Sequence, residues 1–213
     1  MPIIYSEQIE KNAIWGVWEI TENENSLMSM LNGKIAIEKL DMITHRQKRI
    51  EWLGARALVC ELVERFEESV CEIANDDLGK PYLKNQPLHL SISHSKKYAV
   101  AILHRHSSVG IDIELSSNKV LNNIHRLCNE AEILDIDNDI QKATMAWCAK
   151  EALYKYYGKK KLDFKKNIFL SISQNQIDGK IVIDELEQTP KLFSKTWKDY
   201  TIVYCFDSDV ENQ

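Results

Sequence analysis

Two short segments concentrate ionisable side chains at spacings that can do chemistry: Gly110-Ile-Asp-Ile-Glu114 and Trp147-Cys-Ala-Lys-Glu-Ala-Leu-Tyr-Lys155. On a strand, side chains alternate faces, so Asp112 and Glu114 project together while Ile111, Ile113 and Leu115 project the other way. Two carboxylates on one face repel unless a cation, a proton or a basic side chain lies between them. On a helix, Trp147, Glu151 and Lys155 stand at i, i+4 and i+8 in one stripe, with Lys150 about a quarter turn from Glu151. Carboxylate oxygens in such a set suit a hard divalent cation, and ammonium groups beside them suit a phosphate-bearing substrate. Each motif alone also has a plain reading: solvated acids on an exposed strand, and Glu–Lys helix pairing worth roughly 0.2–0.5 kcal/mol.

The elements that must position these residues are readable from periodicity. Residues 140–157 carry the helical pattern, and Gly110 opens a strand. Residues 129–134 read as a second helix, and 168–172, 180–183 and 200–206 as strands, with a turn at Gln176-Ile-Asp-Gly179. Upstream, Ala13 to Ile20 alternates around two tryptophans as a strand, and the polar run from Thr21 leads into a loop or helix start. Between Asp41 and Glu67, Ile43, Ile50, Leu53, Ala57, Leu58, Leu62 and Phe66 recur at helical spacing, predicting one long amphipathic helix or two in sequence. Asp76 to Tyr82 is turn chemistry, and residues 88–94 and 98–103 are β-prone runs that form a hairpin across Ser95-Lys-Lys97. Adjacent strands with short turns favour antiparallel pairing, hence an α+β class. The polar stretch near residues 105–108 marks a boundary, giving halves at 1–107 and 108–213.

With 213 residues, 44% of them hydrophobic, the chain can bury a sizeable core. A net charge of -5 argues against general nucleic-acid binding, while Arg46, Lys48, Arg49 and the Lys159-Lys160-Lys161 run can still meet anionic groups. The five cysteines are odd in number, widely spaced and in apolar surroundings, which predicts packed, reduced thiols. No secretory leader pattern and no membrane-length apolar run is legible, so a cytoplasmic protein without a membrane partner is expected. His94, His104 and His106 lack the further ligands of a zinc site. The serines around His94 lack a nucleophile elbow and an orienting acid.

Taken together, the paired motifs resemble those of the 4'-phosphopantetheinyl transferase superfamily, in which G-[IV]-D-[IVL]-E on a strand precedes W-x-x-K-E-A-x-x-K on a helix. Gly110, Asp112, Glu114, Trp147, Lys150, Glu151, Ala152 and Lys155 match. Ser93-His94-Ser95 before an alternating strand resembles the family's S-H-S segment, and Gly79-Lys80-Pro81 its G-K-P segment. The glycine loop after the helix departs from the family pattern, because after Gly158 the second glycine is absent. The length resembles that of the longer, two-halved (surfactin-synthetase-activating) type. That resemblance implies two similar α/β halves related by a pseudo-twofold, each a small antiparallel sheet packed with helices, in a monomer with one site at their junction.

The resemblance also implies the chemistry: Mg²⁺-dependent transfer of the phosphopantetheine arm of coenzyme A to a serine of an apo acyl or peptidyl carrier protein, releasing adenosine 3',5'-bisphosphate. Asp112, Glu114 and Glu151 would hold the metal; Glu151 would act as base, with Lys155 and Lys150 assisting. Arg49, Arg56, Lys80, Ser93 and His94 would contact coenzyme A phosphates and nucleotide. Two other readings keep part of this: a catalytically silent coenzyme A or carrier-protein binding module, and another Mg²⁺-dependent phosphotransferase. The absence of a G-x-x-x-x-G-K-[ST] loop and of kinase motifs removes the best-known forms of the latter.

Overall fold

The alternation around Trp15 and Trp18 is that of a strand, β2 (Ala13–Glu19), which pairs on one side with β1 (Ile3–Ile9). The computed structural model describes residues 3–9, 11–159, 162–173 and 176–207. The chain divides into two units, Met1–His106 and Ser107–Gln213. In the first, three short or long helices follow β2: α1 (Glu24–Met30), α2 (Glu38–Asp41) and α3 (Arg46–Glu67). The helical periodicity read over 41–67 is carried by one long helix, α3, and Ile43 lies in the break between α2 and α3. Arg49 bridges the break, donating to the Leu40 and Ile43 carbonyls at 2.6 and 3.2 Å.

A small hairpin, β3 (Ile73–Asn75) and β4 (Pro81–Leu83), is followed by a second one, β5 (His89–Ser95) and β6 (Tyr98–His104). The main sheet runs β1-β2-β6-β5, all antiparallel. One face, with Ile14, Trp18, Leu90, Ala99, Ala101 and Leu103, packs on Leu53, Leu58 and Leu62 of α3. Each of those leucines is fully buried, so each truncation to alanine costs about 2–5 kcal/mol.

The second unit begins with β7 (Val109–Leu115), then α4 (Asn118–Asn123), a 3-10 turn over Ile124–Arg126, α5 (Glu130–Ile136) and the long α6 (Ile140–Tyr157). The strands β8 (Ile168–Ile172), β9 (Ile177–Ile183) and β10 (Leu186–Gln188) form one sheet, and β11 (Lys191–Trp197), β12 (Tyr200–Phe206) and β7 another in the order β11-β12-β7. Of the expected turn at residues 176–179, Ile177, Asp178 and Gly179 instead lie in β9. Gly179 lies in the strand because a Cβ there would stand 2.8 Å from both Leu153 of α6 and Leu192 of β11, so the residue serves close packing and not chain reversal.

The two units repeat one topology. After the extra edge strand β1 of the first unit, each runs from a strand (β2, β7) to a long helix (α3, α6), passes through a small antiparallel sheet, and returns as a hairpin (β5–β6, β11–β12). In each, the hairpin's last strand sits between its mate and the strand that leads to the long helix, β2 or β7. Both hairpins turn on two residues, with Lys96 and Lys198 at φ 54°. The fold is α+β with small antiparallel sheets, as the sequence predicts. No helix among the described residues is long and apolar enough to cross a membrane. All five cysteines are buried thiols outside any disulfide.

Candidate active site

Within the second unit, β7 lies directly on α6. Gly110 permits this: a Cβ on it would stand 1.8 Å from the Ala152 carbonyl oxygen and 2.9 Å from the Tyr156 nitrogen. The helix backbone itself fills the volume a side chain needs, so no rotamer change can relieve the clash. Gly110→Ala must push α6 off the strand, and we expect a loss of about 3 kcal/mol, read as a lower denaturant midpoint.

That close approach brings the helix stripe to the acidic strand face. Lys155 donates to Asp112 Oδ1 at 2.7 Å and to the Ile111 carbonyl at 3.0 Å. The Glu151 carboxylate, half-buried, accepts no hydrogen bond among the described residues. Burial raises its pKa first, and the neighbouring Asp112 charge raises it further, with Lys155 opposing. Glu114 Oε1 accepts from the Leu115 nitrogen at 2.9 Å. Beneath the strand, Cys148 is fully buried and donates to the Thr201 carbonyl at 3.4 Å; burial, then the charges of Asp112 and Glu114, hold its pKa well above the usual thiol value.

Asp112, Glu151 and Lys155 are thus brought together, and Asp112 and Glu114 share the strand face. Hard carboxylate oxygens and an acid destabilised by burial and by a second acid suit a divalent cation, which would relieve that repulsion. The donor chemistry fits magnesium. The three carboxylates are not gathered as a closed ligand set, since among the described residues no group of three His, Cys, Asp or Glu is placed to hold a metal. An ammonium, that of Lys155, supplies the positive charge beside Asp112.

Lys150 is not brought to this cluster. It is 0% exposed, and its ammonium donates to Glu132 Oε1 at 2.8 Å, to the Phe164 carbonyl at 2.9 Å and to the Ile168 carbonyl. Sequence reasoning missed Glu132. Its capping box with Asn129 was legible as N-x-x-E, and the structure shows both halves of it, but the ion pair across eighteen residues was not. Glu132 Oε1 also accepts from the Leu170 nitrogen, so one carboxylate ties α5, α6 and β8.

In the first unit, His94 lies on β5 in the face shared with Leu90 and Ile92, toward α3, whereas Ser93 lies on the opposite face. The His94 Nδ1 stands 3.1 Å from Glu51 Oε2, another residue sequence reasoning missed. Lys80 ends the turn before β4; its backbone nitrogen donates to Asp76 Oδ1 at 2.7 Å. Arg49, besides its two carbonyls, donates to Glu24 at 2.6 Å, so it braces α1 and α2 onto α3. Arg56 is 6% exposed, lies 3.4 Å from the Trp52 ring centroid and donates to the Trp52 carbonyl. Burial lowers its pKa, and the ring face offsets part of that cost. Of the lysine run after α6, Lys160 and Lys161 lie outside the described residues.

The family model of the 4'-phosphopantetheinyl transferase superfamily matches residues 108–205 of the chain. A particular relative is the holo-[acyl-carrier-protein] synthase of Staphylococcus carnosus (strain TM300), 26% identical over 112 residues, which are 46% of this chain and 94% of that protein.

Proposed function

We propose that this chain transfers the 4'-phosphopantetheine arm of coenzyme A to a serine hydroxyl of an apo acyl or peptidyl carrier protein. The observation that carries this reading is the convergence of Asp112, Glu151 and Lys155 from β7 and α6, within the residues that match the superfamily. The synthase relative supports a carrier protein as acceptor. In the reaction the serine oxygen bonds to the β-phosphorus. The bridging P–O bond breaks, and adenosine 3',5'-bisphosphate leaves.

A serine hydroxyl is a weak nucleophile near neutral pH, so its proton needs an acceptor as the new bond forms. Glu151 serves as that base, its proton affinity raised by burial toward the range where general bases work best. Lys155 steadies Asp112 and is set to share its ammonium with phosphoryl oxygens as their charge grows. Magnesium held by Asp112, Glu114 and Glu151 would supply charge neutralisation for the pyrophosphate. Lys80, Ser93 and His94 of the first unit, with Arg49 and Arg56 of α3, are the proposed contacts for the coenzyme's phosphates and nucleotide. The longer two-halved type, acting as a cytoplasmic monomer, completes the reading.

Incubation with coenzyme A, magnesium and an apo carrier protein tests it by intact mass. One added phosphopantetheine per carrier is expected, and none with Asp112→Ala over the same time. Failure to modify fatty acid, polyketide and peptidyl carriers that a control transferase loads under the same conditions would sink the proposal.

A further inference from the structure

We propose that Asn32-Gly33 is a site of spontaneous covalent modification, at which the Asn32 carboxamide is converted through a cyclic imide to aspartate and isoaspartate. The proposal lies beyond the transfer reading and does not depend on it. Asn32-Gly33 is the single Asn-Gly pair of the chain, and it occupies the exposed turn that follows α1. The Lys34 nitrogen donates to the Leu31 carbonyl at 2.9 Å, and Gly33 holds φ 71° after an Asn32 that is not left-handed, so the turn is of type II with glycine in its third position. Among the described residues, no group accepts from the Gly33 nitrogen and none bonds to the Asn32 carboxamide. Nothing lies within 4 Å of the place a Cβ would take on Gly33, so the nitrogen is open to its neighbour's side chain and to solvent.

The chemistry needs only water and a solvent base. The Gly33 nitrogen gives up its proton and bonds to Asn32 Cγ; the carboxamide C–N bond breaks, and its nitrogen takes a proton and leaves as ammonia. Water then opens the imide at either carbonyl. Cleavage at Cγ restores the main chain as aspartate, whereas cleavage at the Asn32 carbonyl carbon leaves the chain running through Cγ as isoaspartate. Asp178-Gly179, the chain's one Asp-Gly pair, can close the same ring by loss of water, and its setting is the opposite. Asp178 and Gly179 are paired with Ser171 and Leu170 of β8, and a Cβ on Gly179 would meet Leu153 and Leu192 at 2.8 Å. Rotating that backbone to bring nitrogen and carboxyl together requires the sheet to open, while the turn opens by breaking the Lys34–Leu31 hydrogen bond. Local opening of exposed turns costs far less than opening of paired strands, so the folded chain selects Asn32.

Isoaspartate adds a methylene to the main chain between Leu31, which is 2% exposed, and Lys34, whose carbonyl accepts from the Ile73 nitrogen of β3 at 2.8 Å. That change of spacing breaks the turn bond and loosens the Ile73 bond, whereas aspartate changes charge alone. The test incubates the whole folded chain at mildly alkaline pH beside a synthetic peptide of residues 27–37 and maps both by peptide mass. The Asn32 peptide should gain the mass of an amide turned carboxylate and split into two forms, one of which a protein isoaspartate methyltransferase labels from S-adenosylmethionine. The rate should rise with pH, and Asn32→Gln, which needs a larger ring, should show no gain. The melting temperature of the isoaspartate fraction should fall by about 2–4 °C, the shift that one lost hydrogen bond brings in a chain of this size, with faster amide exchange at Lys34 and Ile73. Asn32→Asp should show neither change. A folded chain that keeps its amide while the peptide loses it overturns the proposal. Conversion of other asparagines, or of Asp178-Gly179, as fast as that of Asn32 overturns it as well. None of these readouts uses carrier modification, so the transfer reading stands or falls separately.

Discussion

Glu151→Gln is expected to cut carrier modification by about 10²–10⁴-fold, the range for loss of a general base, and to raise the melting temperature of the metal-free protein at neutral pH. The second half follows from the sign of its shift. Burial and the Asp112 charge raise the folded-state pKa of Glu151 above its ordinary value of 4.5. Below 4.5 the group is protonated in folded and unfolded chains alike, and its favourable contribution is intact. As pH climbs through the unfolded value and then the raised folded value, the unfolded chain gives up its proton more readily, and that contribution is lost. Glutamine carries no charge at any pH, so the variant escapes the loss. The difference in melting temperature should be positive at pH 7 and shrink as pH falls below 4.5. Magnesium should stabilise wild type more than the variant, because only wild type offers the third carboxylate. An unchanged rate with an unchanged melting temperature would leave Glu151 as an ordinary helix residue.

Much of the arrangement around Glu151 was legible in the sequence because it depends on periodicity alone. The alternation of residues 110–115 and the stripe at 147, 151 and 155 fix which side chains share a face, and the structure keeps both. Helix α6 occupies the predicted span, and the strands at 168–172 and 200–206 do as well. What failed was read from residue type without its neighbours. Gly179 resembles a turn residue until Leu153 and Leu192 are placed against it. The strand β1 went unread because its outward residues are exposed at a sheet edge, so the stretch lacks the continuous apolar character of β6. Strand β11, half-buried along most of its length, was missed for the same reason.

The basic residues illustrate a different limit. Sequence spacing places Arg49 and Arg56 on one helical face, and a face is all it can specify. Arg49 instead meets carbonyls made available by the break after α2, and Arg56 meets the ring of Trp52 one turn before it. A guanidinium's reach lets such partners compete with solvent and ligand alike. For His94 the strand register gave its face correctly, but the acid behind it comes from α3, more than forty residues earlier, and no local pattern encodes that meeting.

Lys150→Met is expected to destabilise the protein by about 3–5 kcal/mol, the cost of removing one partner from a buried ion pair. The lysine is fully enclosed, so its loss strands the Glu132 carboxylate and leaves the Phe164 and Ile168 carbonyls without their donor. Those groups cannot recruit water without opening the junction of α5, α6 and β8. Denaturant midpoints measure the loss. Adding Glu132→Leu to Lys150→Met should cost less than the sum of the single changes, because the second substitution removes the stranded charge. The same variant separates a brace from a catalytic cation. At a low temperature where Lys150→Met remains folded, its transfer rate should fall by less than the roughly 10²–10³-fold expected when a donor to a charged transition state is lost. Lys155→Met, whose ammonium lies against Asp112, should show that larger loss with a smaller change in stability. A Lys150 variant of wild-type stability and greatly reduced rate would mean that the ammonium leaves Glu132 for the substrate during the reaction.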